Sequence, residues 1–557
     1  MMGFTRSLRT RRWLGVWAVL GVLVASGFAR AAEKVVVVSL KPATQLFSDV
    51  EYLLDATGMA GLGQFFLPQV KVFFQGVDND KPIGAVVMVE ETEFKVMGFV
   101  PVKDLKAVLG QLQEQLGEPK ELENGVFELR GPQPMFVKEQ DGWAYLAQST
   151  EALTDLPAAP ATLLEGLDEK YYIAVRAFGK NVPQPLKEVA IAQMRAQMEQ
   201  GMEQAAEENE DEEAQAQAKL MVDTQMTQIT QLIQEMETLT LGWQIDPTNR
   251  HTMLDMSVTA MPGTKMAAQM SQMSEAKTEY ASFQVPDSAI KMGLASIIPA
   301  DQIETAVAQI DQIQSATMSE LEEDDSLDDE GRTNAKQLAT MVFDIFRSTM
   351  RSGAMDAGMS VMMGEKSVTM VAAAHVASGT EVAEAVKKLL DVAKETAEGG
   401  PQDVKLNAGE HAGVTLHTMS LPLPEGEALA AVMGDKVPVV LGTAEKSVYM
   451  AVGNDAMETL KGLLDKSQGA TATKTDPGSI EVALGPILKF AQSMESNPVL
   501  DMVAEQVANA QGKDRIQIRS MAVGENGVTY RIQIDEGVLR AMGQAGQAAN
   551  MQQEGDF

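Results

Sequence analysis

YLAQSTEALTDL, Tyr145–Leu156, returns about 300 residues later as YMAVGNDAMETL, Tyr449–Leu460. Without a gap, Tyr145/Tyr449, Ala147/Ala451, Ala152/Ala456 and Leu156/Leu460 are identical, and Leu146/Met450, Glu151/Asp455 and Leu153/Met457 agree in kind. Each phrase reads as a strand running into a helix. Asp455 and Glu458 fall in the first turn, where acidic side chains face the positive end of the helix dipole. A phrase kept at this distance predicts a chain built from two similar halves.

Around the two phrases a second pattern occurs four times: a short apolar strand, a proline, then helical periodicity. The copies are VVVVSLKP ending at Pro42, YYIAVRAFGKNVP at Pro183, IKMGLASIIP at Pro299 and IEVALGP at Pro486. Proline suits the first turn of a helix, where its missing N–H would have no partner. One or two helices and then a hairpin follow each start. In RIQIRSMAVGENGVTYRIQI, Val528, Tyr530, Ile532 and Ile534 alternate with polar residues and Asn526-Gly527 supplies the turn, so one half of the strand should face a core and the other half water. LTLGWQIDPTNRHTMLDMSVTA reads the same way, with Leu254, Met256, Val258 and Ala260 alternating beyond the turn Asp246–Asn249. AVVMVEETEFKVMGFV and MSVMMGEKSVTMVAAAHV are looser hairpins. The hairpins lead into amphipathic helices: Leu105, Val108, Leu109, Leu112 and Leu116 share one face, as do Val382, Val386, Leu389, Leu390 and Ala393.

The expected fold is α+β, two tandem similar halves, each an antiparallel β-sheet backed by amphipathic helices and helical hairpins. The first half covers 32–278, with sub-units at about 33–117, 118–160 and 165–278. The second covers 279–557, with sub-units at about 285–398, 400–468 and 475–545, and a flexible tail at 546–557. Two segments depart from the repeat. Residues 193–238, rich in Met, Gln and Glu, predict a long helix pair with an acidic tip near Glu207 to Glu213, and SELEEDDSLDDEG at 319–331 predicts an acidic loop between helices.

Arg6, Arg9, Arg11 and Arg12 precede the apolar run Trp13–Phe28 and the small-residue site Ala29-Arg30-Ala31, the order of a secretory signal peptide at 1–31 cleaved near Ala31. Arg11-Arg12 also resembles a twin-arginine signal displaced by one position. No later run of 18 apolar residues appears, so no transmembrane segment is expected after signal removal. The expected address is periplasmic or secreted. Removal of 1–31 leaves 40 basic against 78 acidic groups, a formal charge of −38, which opposes nucleic acid and anionic lipid as partners. Cysteine is absent, which excludes disulfides, thiol catalysis and a lipid-anchored N-terminal cysteine.

Signals for chemistry are sparse. His251, His375, His411 and His417 are the only histidines; the last two lie in NAGEHAGVTLHTM, an expected strand pair, and six positions along a regular strand would set them about 20 Å apart, too far for a shared metal. No H-E-x-x-H, G-x-S-x-G, Walker or dinucleotide fingerprint occurs, and GMAGLG at 58–63 lacks the strand–helix context of one. The many carboxylates single out no acid/base pair. Thirty-six methionines include Met194/Met198/Met202, Met266/Met270/Met273 and Met359/Met362/Met363, spacings that suit Cu(I) or, more simply, flexible core filling. Asp324, Asp325, Asp328 and Asp329 are oxygen donors for calcium without the order of an EF-hand loop.

The signal, the strand–proline–helix starts and phrases such as GFVPVKDLKAVL and YMAVGNDAMETLKGLL resemble large, uncharacterised exported bacterial proteins with duplicated α+β modules. The resemblance implies a fold and an address, and no activity. The expected function is that of an exported non-catalytic binding or structural protein of the cell envelope, not an enzyme, with a protein or envelope component as partner. No catalytic, cofactor or metal residue is assigned and no cofactor is expected. A divalent-cation or copper-binding protein, and a hydrolase whose site forms only in three dimensions, are the alternatives.

Overall fold

The computed structural model describes residues 33–130, 134–208, 212–324, 327–395, 401–423, 430–495 and 497–555. The signal peptide read at 1–31, Glu210 and Asp211 of the acidic tip, and Asp325 lie outside them. The chain packs as two compact units, one of residues up to Glu51 and Gly61–Gln244, the other of Tyr52–Ala60 and Ile245–Phe557.

In the first unit β1 (Glu33–Leu40) leads past Pro42 into α1 (Ala43–Ala56) and α2 (Ala60–Val72), and the chain returns as the hairpin β2 (Ile83–Glu90) and β3 (Glu93–Pro101). After α3 (Leu105–Leu116) come four short strands, β4 (Lys120–Glu121), β5 (Val126–Leu129), β6 (Met135–Gln140) and β7 (Trp143–Ala147). A single turn, α4 (Leu167–Lys170), precedes β8 (Ile173–Ala177), the long pair α5 (Gln184–Glu208) and α6 (Glu212–Glu235), and β9 (Met236–Asp246). All ladders are antiparallel, in the order β9-β8-β1-β2-β3-β7-β6-β5-β4.

The second unit opens with β10 (His251–Ala260), α7 (Lys265–Met273) and the short β11 (Lys277–Thr278). Then β12 (Ile290–Ile297), the pair α8 (Ile303–Glu323) and α9 (Asp329–Arg351), the hairpin β13 (Ala354–Gly364) and β14 (Ser367–His375), and α10 (Gly379–Glu395) repeat the earlier succession. Four strands follow, β15 (Gln402–His411), β16 (Val414–Pro422), β17 (Lys436–Thr443) and β18 (Ser447–Gly453), with the turn α11 (Ala430–Met433) before β17. The chain ends through α12 (Ala456–Ser467), β19 (Thr473–Lys474), β20 (Gly478–Ala483), α13 (Leu484–Met494), α14 (Pro498–Asn509), β21 (Arg515–Val523), β22 (Gly527–Asp535) and α15 (Glu536–Gly555). Its antiparallel order is β10-β22-β21-β20-β12-β13-β14-β18-β17-β16-β15, while β11 pairs β19 apart from it. The residues read as a tail continue α15 to Gly555.

Strand for strand, β1 to β9 and β12 to β21 follow one order, and the registers agree as well. The line across the first sheet through Leu146 runs Leu241, Val175, Val38, Ala85, Gly98, Leu146, Val137. Through Met450 the second sheet runs Ile518, Ile480, Met292, Met359, Ala372, Met450, Leu441. Leu146 and Met450 thus stand at the same position in the two registers.

Tyr145 and Tyr449, one residue earlier, point to the opposite face, where the cores lie. In the first unit Tyr145 is fully buried with Phe99, Trp143, Leu153, Leu164 and Phe178, the Phe99 and Trp143 rings meeting edge to face at 5.8 Å. In the second, Tyr449 packs against Tyr280, Phe283, Val371 and the α12 residues Leu460 and Leu464. The expected strand-to-helix junction forms only here. After Tyr145, Pro157 and Pro160 stand where the second and third turns of a helix would be, and neither can donate a backbone hydrogen bond. Two 3-10 turns, Glu151–Leu153 and Pro160–Leu164, take its place, and the Tyr145 hydroxyl donates to the Pro157 carbonyl.

The amphipathic helices cover the other face at one end of each sheet: α3 buries Leu105 and Leu109 against Val137 and Ala144, and α10 buries Leu390 against Met419 and Val439. At the edge, β15 meets β16 with two register shifts, and Asp403 and Asn407 have positive φ of 54° and 51°.

Candidate functional site

Strands β10, β22, β21, β20 and β12 divide their side chains cleanly between two faces. Arg531, Gln533, Arg515, Gln517, Glu481 and Lys291 alternate with Tyr530, Ile532, Ile516, Ile518, Ile480 and Met292. On the polar face the charges are paired. Asp255 accepts two hydrogen bonds from Arg531, at 2.7 and 2.8 Å. Glu481 takes Lys291 at 2.9 Å and also pairs with Arg515, and Asp476 accepts from Arg519 at 2.7 Å. The hydroxyls of Ser257 and Thr529 lie 2.6 Å apart. Asp255 and Thr529 are buried on this face.

The other face is apolar and open. Leu254, Ile532, Ile518, Ile480 and Met292 form one row, each directly opposite the next, and Met256, Tyr530 and Leu294 stand on the neighbouring row with Ser520 and Gly478 between them. These eight large side chains are 37–52% exposed. Across β13, β14 and β18 the row continues through Met359, Ala372 and Met450 into a groove of about 700 Å³. Small residues make the floor low, since Ala357, Ala372 and Ala374 lie between the bulkier Met292, Leu294 and Met450. Ser520, whose hydroxyl donates to the Gly478 carbonyl at 3.4 Å, and the Tyr530 ring are its polar side chains on this face of β21 and β22. Beside it a second apolar hollow runs between α9 and α10, lined by Val342, Phe346, Val386 and Leu389. Leu389, expected on the packed face of α10, is instead 48% exposed here.

The alternation in these strands was therefore read correctly and its destination was not: Tyr530, Ile532, Leu254 and Met256 stand on an exposed sheet face rather than in a core. A continuous exposed apolar surface of this kind is a candidate interaction face.

The other candidates separate. His411 and His417 lie on different strands, because Ala412 and Gly413 make a tight turn with φ of 53° and 78°. His411 meets Asp465 at 2.7 Å, while His417 is buried, taking the Asn407 N–H at 3.2 Å and facing Thr443 at 3.3 Å. His375 lies 3.5 Å from the Ser352 hydroxyl. His251 is inside with neither ring nitrogen hydrogen-bonded, and burial holds its pKa down. Met359 and Met363 share the apolar face, whereas Met362 packs into the core behind, so that trio cannot converge on one ion. Met270 is buried in α7, and Met194, Met198 and Met202 are half-buried along α5. In the acidic loop a guanidinium occupies the place a cation would need: Arg332 donates to the carbonyls of Leu321, Asp324 and Leu327, and Asp328 caps α9 through the Gly331 N–H. Among the described residues no group of three or more His, Cys, Asp or Glu is arranged to hold a metal. Burial raises the pKa of Asp168 and of Asp356, which belong to different units. No helix among the described residues is long and apolar enough to cross a membrane.

Comparison with protein-family models, curated proteins and solved structures finds no match for this chain. The groove was missed in the sequence, where each of these strands alternates apolar with polar residues and nothing says which set is left uncovered.

Proposed function

We propose that the protein is an exported, non-catalytic binding protein of the cell envelope whose second unit takes an elongated apolar ligand of the acyl-chain class along the open sheet face. One observation carries this reading: the unbroken apolar row from Leu254 to Met450, with the Asp255–Arg531 pair and the Lys291–Glu481–Arg515 cluster on the opposite face. A groove of about 700 Å³ lies within the range of small-molecule sites, which are mostly apolar with few polar groups. Methionine, abundant here, suits such a lining because its unbranched thioether adapts to ligands of varying shape. The address follows from the N-terminal signal read in the sequence. Shared strand order and register support a duplicated chain.

The test is binding of the naphthylamine dye N-phenyl-1-naphthylamine and its displacement by palmitate, with mass spectrometry of a solvent extract of the purified protein. Ile480→Glu with Ile518→Glu should abolish dye binding and leave the melting temperature unchanged, since both side chains are already exposed. A wild-type protein that binds neither dye nor fatty acid, variants that bind as wild type does, or a dimer by light scattering that the two substitutions dissociate, would each overturn the reading.

A further inference from the structure

Helix α2 turns most of its large apolar residues toward water. Leu62, Phe65, Phe66 and Val72, with Phe73 just beyond, are 44–64% exposed, and the residue it buries is Gly63. At 100° per residue the four within the helix fall in an arc about 120° wide. Gln69 shares that arc, and Gly63, Leu67 and Val70 lie on the other side, so the helix is apolar on both sides and covered by the protein on one.

The surrounding sequence is equally unusual for this chain. Between Asp55 and Asp78 there is no acidic residue and one basic one, Lys71, although 78 of 557 residues are acidic and a stretch of this length would carry about three. Four of the chain's 17 phenylalanines lie within residues 65–74. The helix pair at the same place in the second unit, α8 and α9, is joined instead through Glu322, Glu323, Asp324 and Asp328. A surface with such an acid-free, phenylalanine-rich face fits a partner that is itself apolar and uncharged at its boundary.

We propose that α2 docks the protein on the surface of a neutral lipid bilayer, with Phe65, Phe66 and Leu62 entering the boundary between headgroups and hydrocarbon. Interfacial helices bury such a face by several ångströms without crossing the membrane. Lys71 remains with the headgroups. The acidic body sets the lipid preference: phosphatidylcholine is favoured over anionic lipid, because the chain from Ala32, of formal charge −38, is repelled by a negative surface. The inference does not rest on the groove of the second unit.

Flotation of the chain starting at Ala32 with phosphatidylcholine vesicles tests it. Wild type floats, and less of it floats when a third of the lipid is phosphatidylglycerol. Phe65→Asp with Phe66→Asp lowers partitioning at least tenfold, while Phe346→Asp, an equally exposed position in α9, and Ile480→Glu with Ile518→Glu leave it unchanged. A Phe65→Trp variant gives a second reading, its emission shifting to the blue as vesicles are added. Wild type that stays at the bottom of the gradient, a double variant that floats as well as wild type, or emission from the Phe65→Trp variant that vesicles do not move overturns the proposal. So does binding that survives only when a membrane protein is present in the vesicles.

Discussion

Replacing Glu536 by glutamine should remove a pH-dependent part of the second unit's stability. Glu536 opens α15 and is buried, yet it is ionised, because two guanidinium groups close on it. Arg250 donates from Nε at 2.8 Å and from Nη2 at 3.1 Å, Arg540 from Nε at 2.9 Å and Nη2 at 2.7 Å, and the Tyr52 hydroxyl lies 3.4 Å away. Hydrogen bonds from Arg250, with those from Arg540 and both positive charges, hold the carboxyl down from 4.5 to about 2 against the cost of burial. A depression of about 2.5 units corresponds to about 3 kcal/mol. Its sign follows from linkage. Because the folded value is the lower one, the stabilisation is complete above pH 4.5, shrinks as the pH falls toward 2, and is absent below that.

Glu536→Gln should therefore cost about 3 kcal/mol at pH 7 and about 1.5 kcal/mol at pH 3. The difference between wild type and variant isolates this group from the other carboxylates titrating in the same range. Trp143 and Trp243, the two tryptophans outside the signal, belong to the first unit, so intrinsic fluorescence is blind to the event. Urea unfolding read by pulsed hydrogen exchange on peptides from β22 and α15 reports it directly. A loss below 1 kcal/mol at pH 7, or one of equal size at both pH values, would refute the reasoning.

Asp255→Ala should destabilise the second unit by about 3–5 kcal/mol, since it strands Arg531, whereas Asp255→Leu with Arg531→Met should be close to neutral; urea unfolding of the three variants measures both. Gly379→Ala should cost about 3 kcal/mol, because a Cβ there would lie 1.7 Å from the Ala444 carbonyl oxygen and the α10 start must move away from β17; thermal unfolding checks it.

Local patterns carried the α+β architecture. All four prolines read as helix starts, Pro42, Pro183, Pro299 and Pro486, stand at the opening of α1, α5, α8 and α13, or within four residues of it, and each start is followed by two helices. These are short-range constraints, set by backbone hydrogen bonding within a few residues. What alternation cannot state is which face gets covered. Val528, Tyr530, Ile532 and Ile534 look the same on paper, yet Val528 is 1% exposed and Tyr530 45%. Cover depends on where distant helices come down, and that is a property of the whole packing. Pro157 and Pro160 are a different case: they were plainly visible and forbid the helix expected after Tyr145.

The broken edge of the second sheet bears on how the protein behaves in bulk. A regular border strand offers a row of free N–H and C=O groups on which another molecule can lay its own strand. β15 denies that template, since two register shifts and the left-handed backbone at Asp403 and Asn407 throw its groups out of line. A chain that leaves so much oily surface open on one side of its sheet can thus be crowded without seeding fibrils from this border. Its stickiness is confined to side chains, where it can be selective, and kept away from the main chain, where it would be indiscriminate.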